Sequence, residues 1–237
     1  MTKTIATLLL LPIFFFSCNG QNSKVAYSQK IASGYNGPVK KVSTYICEIK
    51  RYGQILTDRT DYKIKIITVF DSLGNILESN NIHKLSDYTT EISSIYSGKG
   101  KNRTFKERAI TGLDIKEDSY KYVWSDDYNF TVVPIGKSVK SDITSTTTLN
   151  KDFRAIKTIY KSGDTIRITD EFEYKGKHEK IHKRVINEGE NKRIIYQIMV
   201  PKKYDQHGNP TVTYLYVDPD KQKLDSVVFT EYEYYER

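Results

Sequence analysis

Ser162-Gly163-Asp164-Thr165-Ile166-Arg167-Ile168-Thr169-Asp170-Glu171-Phe172-Glu173-Tyr174-Lys175-Gly176 is the stretch that decides the fold. Ile166, Ile168, Phe172 and Tyr174 occupy one parity while Arg167, Thr169, Glu171 and Glu173 occupy the other, the two-residue period of a half-buried strand. Glycine closes it at both ends, and the next glycine follows at 189, so Gly163, Gly176 and Gly189 stand thirteen residues apart. That cadence suits successive antiparallel strands joined by short turns, each glycine taking the positive φ that the turn needs.

The alternation recurs outward in both directions: Ile64, Ile66, Thr68 and Phe70; Ile194, Tyr196, Ile198 and Val200; Val212, Tyr214 and Tyr216; Val228, Thr230, Tyr232 and Tyr234. Nineteen tyrosines against one tryptophan and two methionines is a composition for half-buried pleated surfaces. The expected fold is all-β, an antiparallel meander curling into an open half-barrel or a sandwich, in one domain over residues 34–237. The paired tyrosines Tyr214/Tyr216 and Tyr232/Tyr234 read as a core face, with a ring-stacking surface for a glycan or envelope protein as the alternative.

A turn repeats. Phe70-Asp71-Ser72-Leu73-Gly74-Asn75 and Tyr204-Asp205-Gln206-His207-Gly208-Asn209 share the order aromatic-Asp-x-x-Gly-Asn, and Trp124 to Phe130 is a degenerate third copy with Tyr128 in the glycine place. Asp71 and Asp205 cap the turn, Gly74 and Gly208 tolerate left-handed backbone, and Asn75 and Asn209 close it. These residues resemble the YD repeats of Rhs-type proteins and of small exported proteins of Bacteroidota, a resemblance that covers about a third of the chain. It implies a scaffold of hairpins and no activity.

The first residues give an address. Lys3, the apolar run Ile5 to Phe16, Ser17 and then Cys18 follow the order that a signal peptidase reads, and the run is too short to span a bilayer. Phe15-Phe16-Ser17-Cys18 resembles the lipobox of bacterial lipoproteins, which implies removal of residues 1–17 and a diacylglycerol on Cys18. The alternative is a secreted protein with Cys18 paired to Cys47, the only other cysteine. With Cys18 lipidated, Cys47 is expected to be buried. Residues 18–33 then form a polar, flexible tether. The stretch after Cys18 lacks the acidic cluster with which lipoproteins of Bacteroidota reach the cell surface, so the resemblance implies the periplasmic side of the outer membrane as the expected address.

The net charge of +8 could suit nucleic acid or anionic lipid, but the lysines alternate with acids along nearly every segment and an exported chain rarely meets nucleic acid. The partners expected are the membrane, through the Cys18 lipid, and an envelope protein, a glycan or an apolar ligand held in a half-barrel.

One motif invites an enzymatic reading. His178-Glu179-Lys180-Ile181-His182 matches the H-E-x-x-H pattern of zinc hydrolases, whose chemistry needs a helix so that both imidazoles reach one ion. The flanking alternation predicts a strand, which would hold the two rings about 13 Å apart. The expectation is therefore an exposed basic strand with two surface histidines, with no metal and no cofactor. No G-x-S-x-G nucleophile elbow or reactive-cysteine context is present; Gly98-Lys99-Gly100-Lys101 is a basic turn, and Asp126-Asp127 sits in a turn. Ser72, Thr165 and Ser226 each follow Asp and precede an aliphatic residue, which resembles the O-glycosylation acceptor of Bacteroidota.

Overall fold

The computed structural model describes residues 26–49, 59–136, 142–176 and 179–236. After a single helical turn, α1 (Gln29–Ala32), it contains fourteen strands: β1 (Val39–Glu48), β2 (Ile64–Phe70), β3 (Ile76–Lys84), β4 (Thr89–Lys99), β5 (Asn102–Thr111), β6 (Asp114–Trp124), β7 (Asn129–Pro134), β8 (Ile143–Leu149), β9 (Ala155–Ser162), β10 (Thr165–Lys175), β11 (Glu179–Glu188), β12 (Asn191–Tyr204), β13 (Pro210–Tyr216) and β14 (Leu224–Tyr234).

Each strand pairs antiparallel with the next, so the meander is as expected, but it does not stay open. β1 pairs with β14, with Val42 opposite Tyr232, Thr44 opposite Thr230 and Ile46 opposite Val228, and the sheet closes into a barrel. The right-handed twist that each pair adds turns the sheet back on itself, and closure satisfies the two edges that an open sheet would expose.

Register fixes which side chains face inward. Ile168, Asp170, Phe172 and Tyr174 on β10 face the lumen, opposite Ile186, Arg184, His182 and Lys180 on β11. The outward positions carry exposed charge in mid-strand, including Lys106, Arg108, Glu117, Lys121 and Lys157. A membrane-spanning barrel carries an apolar band there.

Cys47 lies opposite Val227, and both are buried, each 1% exposed.

Eight strands enclose a lumen that side chains just fill; fourteen enclose one that is wider. Two things occupy the extra width. Over β4 to β7, aromatic rings pack in series: Tyr96 stacks on Phe105 at 5.0 Å, Phe105 stacks on Tyr120 at 4.9 Å, and Trp124 lies tilted against Phe130 at 4.8 Å. At one rim, the segment from Ala26 to Pro38 lies across the barrel mouth as a plug. Tyr27 sets its edge on Trp124 at 4.8 Å, and Tyr35 does the same to Phe70 at 6.1 Å and to Tyr232 at 5.7 Å.

The tether expected over 18–33 therefore ends earlier than its composition suggests, because Ser28 and Gln29 are buried and α1 is docked. Gln29 is buried with its Oε1 accepting from the Ile76 N–H of the barrel, and Ser28 with its hydroxyl accepting from the Ile31 N–H as the cap of α1.

Candidate functional site: a cavity behind the plug

The repeated turn does two jobs. In the first copy Asp71 Oδ1 accepts from the backbone N–H of Leu73 at 2.9 Å and of Asn75 at 2.8 Å, while Gly74 donates to the Asp71 carbonyl at 3.0 Å. The second copy repeats this with Asp205, His207, Gly208 and Asn209. Gly74 and Gly208 have φ of 84° and 77°.

In the degenerate copy the capping carboxylate moves one residue along, so that Asp126 accepts from Tyr128 and Asn129. A fourth copy went unread in the sequence: Asn150 stands in the aspartate place, Phe153 in the glycine place with φ of 59°, and Arg154 closes the turn. It has no glycine to announce it.

All four turns lie on the rim that the plug covers, and two of them grip it. The Gly74 carbonyl accepts from Lys30 N–H at 2.9 Å, and the Ile76 N–H donates to Gln29 Oε1 at 2.9 Å. Asn209, fully buried, holds the backbone of Asn36. Asn75 is also buried, and its amide donates to Asp71 while its oxygen accepts from Gly100 N–H at 3.3 Å.

Behind the plug, between β1, β2 and β10 to β14, lies a cavity of about 460 Å³. Its walls are largely apolar, with Val42, Ile46, Ile66, Met199, Leu215, Val228 and Tyr232 from the strands and Tyr35 from the plug. The size falls in the range of small-molecule sites. Burial pushes the Tyr35 hydroxyl up to about 12, so it remains a neutral donor and acceptor.

Two cations join this apolar lining, Lys180 from the start of β11 and Arg154 from the fourth turn. They flank Tyr174: the Arg154 guanidinium stands 5.2 Å from the ring centroid and the Lys180 ammonium 6.0 Å, while Lys180 also lies 4.4 Å above Phe172. Burial pulls the Lys180 ammonium below the usual lysine range, and the neighbouring Arg154 charge adds to this against the opposing pull of Asp170.

Deeper in the lumen Asp170, 1% exposed, is held by three groups. Arg184 donates to both carboxylate oxygens at 2.7 and 2.8 Å, and His182 Nε2 lies 2.8 Å away. The other ring nitrogen of His182 faces Gln197 Oε1 at 3.1 Å. Burial alone would raise the Asp170 carboxyl, but the hydrogen bonds and charges of Arg184 and His182 outweigh it and hold it at about 2.

These contacts redraw the HEKIH motif. His178 lies outside the described residues, as do Cys18 and residues 1–17, the expected signal peptide. Glu179 and His182 lie on an extended strand as expected, without the helical spacing that H-E-x-x-H zinc chemistry requires. The strand is not an exposed basic one, however. Parity turns Lys180, His182 and Arg184 inward and Ile181, Lys183 and Val185 outward, which reverses the usual polarity of the two faces. The Glu179 carboxylate is engaged by Lys221 at 2.7 Å.

The paired tyrosines divide. Tyr232 and Tyr234 belong to the inner face, while Tyr214 and Tyr216 alternate with the inward Thr213 and Leu215 and so face outward. Lys202 lies 5.1 Å over Tyr214. Of the three hydroxyls flagged for glycosylation, Ser72 and Thr165 are exposed, whereas Ser226 is 3% exposed and bonded to Asp225, because its position on β14 turns it towards packed neighbours.

No family model, curated protein or solved structure matches the chain.

Proposed function

We propose that the protein is a lipid-anchored envelope carrier that holds an apolar ligand in the barrel lumen without acting on it chemically. The cavity carries this reading. A barrel built only as a scaffold gains stability by filling its interior, because an empty apolar space forfeits dispersion contacts. Here Val42, Ile46, Ile66, Met199 and Val228 line about 460 Å³ of open volume.

The anchor and the plug support the same reading. Cys18 precedes Ala26, where the described chain begins, by eight residues, which span at most about 29 Å when fully extended. With Cys18 acylated, the plugged rim would stay close to the bilayer, where apolar ligands reside. The lack of acidic residues directly after Cys18 supports the periplasmic side of the outer membrane.

Equilibrium titration with the fluorescent apolar probe N-phenyl-1-naphthylamine tests the proposal. Saturable binding is expected for the native chain, and loss of binding for a variant that fills the cavity, Val228→Trp, with Thr44→Trp as an independent filling from β1. Binding unchanged in both variants, each shown to melt cooperatively, would place the probe elsewhere and refute the proposal.

A further inference from the structure

We infer that the ligand is a single-chain amphiphile with an anionic head, of the fatty-acid kind, whose head group sits between Lys180 and Arg154 beneath the plug. The inference rests on the carrier reading and adds to it the chemical class of the ligand.

Lys180 and Arg154 line the same cavity and both face Tyr174. Neither forms an ion pair among the described residues. Asp170, the acid whose charge Lys180 feels, is already committed to Arg184 and His182. Two like charges thus share a partly desolvated site in which, among the described residues, aromatic faces are the partners the structure shows for them.

Removing a cation from water costs several kcal/mol unless an anion compensates, and two such cations repel each other as well. Ring faces return a fraction of that cost. The arrangement is unfavourable in the empty protein and becomes favourable when an anion bridges the two groups. Arg154 offers a planar fork suited to carboxylate or phosphate, and Lys180 offers a point charge.

The rest of the cavity selects the tail. From Val42 to Ile46 the β1 wall runs four residues, about 13 Å at 3.3 Å per residue, with apolar side chains from β2, β12 and β14 around it. An anionic head at the plug end and an uncharged chain along β1 satisfies both halves of the site.

The test compares dodecanoate, dodecyl phosphate and dodecanol by calorimetric titration of the mature chain and of the double variant Lys180→Met/Arg154→Met. In the native protein both anions should bind at least tenfold more tightly than the alcohol. In the double variant that preference should vanish while dodecanol binding persists, and Lys180→Arg should retain it.

The ligand-free double variant should melt no lower than the native protein, since an uncompensated charge has been replaced by packing of similar volume. Equal affinity for acid and alcohol in the native protein, a preference that survives the double substitution, or a lower melting temperature would each overturn the inference and leave the carrier reading standing. Failure of all three ligands to bind would instead remove the carrier reading itself, and this inference with it. Dodecanoate and dodecyl phosphate binding unequally would identify which head the site takes.

Discussion

The side chain of Asn209 clasps the backbone of Asn36 on both sides: its Oδ1 accepts from the Asn36 N–H at 2.7 Å and its Nδ2 donates to the Asn36 carbonyl at 2.9 Å. An amide side chain thereby does what a neighbouring strand would do for a residue that has none, and does so across 173 positions of sequence. The same Nδ2 donates to Tyr234 at 2.8 Å, and Tyr234 donates onward to Asp205, so the turn, the plug and the last strand form one network.

Asn209→Ala is expected to cost about 3 kcal/mol in urea unfolding, because it removes the hydrogen bonds that a buried amide makes to the Asn36 N–H, the Asn36 carbonyl and the Tyr234 hydroxyl, at about 1 kcal/mol each. The plug should also become the first site of proteolytic cleavage. Cleavage sites distributed as in the native chain would show that the plug is held by something else.

Gly74 is constrained twice. Its φ of 84° disfavours any side chain, and an added Cβ would come within 2.9 Å of the Lys30 Cβ. Gly112 shares the positive φ, at 59°, but faces open space. Gly112→Ala should therefore cost about 1 kcal/mol from backbone strain alone, and Gly74→Ala clearly more because the plug must shift. Equal losses in denaturant midpoint would mean that the plug does not press on this turn.

The Asp170 cluster sets an acid limit. Its carboxyl, held at about 2 in the folded chain, titrates near 3.9 when unfolded, so the unfolded state binds the proton first. The stabilisation is complete above about pH 4 and is lost as the pH falls towards 2. Asp170→Asn should lower stability at pH 7 by about 3 kcal/mol, since it leaves Arg184 without its partner, and should flatten the pH dependence over that interval. A variant as stable as the native chain at pH 7 would contradict the cluster's role.

Cys18→Ala is expected to move the protein from the membrane fraction to the soluble fraction, with the barrel's melting temperature unchanged. Unaltered partition would exclude a lipid on Cys18.

The strands were legible because parity is local: Ile168, Phe172 and Tyr174 announce a face without reference to anything distant. The glycine turns were legible for the same reason. Closure was not, because the contact between Val42 and Tyr232 joins the two ends of the meander and no local pattern encodes it. The plug read as tether because Gln29 and Asn36 are held by turn backbone and by Asn209, not by the apolar periodicity that marks a docked segment. The fourth turn hid behind Phe153, which takes the left-handed conformation with its ring stacked on Tyr128 at 5.6 Å.

β11 shows the limit most clearly. Its alternation was visible, but which parity faces inward depends on the barrel, and the polar set Lys180, His182 and Arg184 took the side that composition assigns to isoleucine and valine. An apolar ligand in a half-barrel was among the expectations, but the cavity's position and lining could not be read, because a missing volume leaves no residue to mark it.

Met199 offers the most direct test of a ligand in the lumen. It lines the cavity, and the chain's only other methionine is Met1, in the segment expected to be removed as a signal peptide. In the mature protein a methyl-¹³C-methionine label therefore gives one resonance from the centre of the proposed site. Titration with dodecanoate should shift that resonance saturably, with the same midpoint as calorimetric binding, and Val228→Trp should abolish the shift. A Met199 resonance that stays in place while dodecanoate binds would contradict the account, because the ligand would then lie outside the barrel.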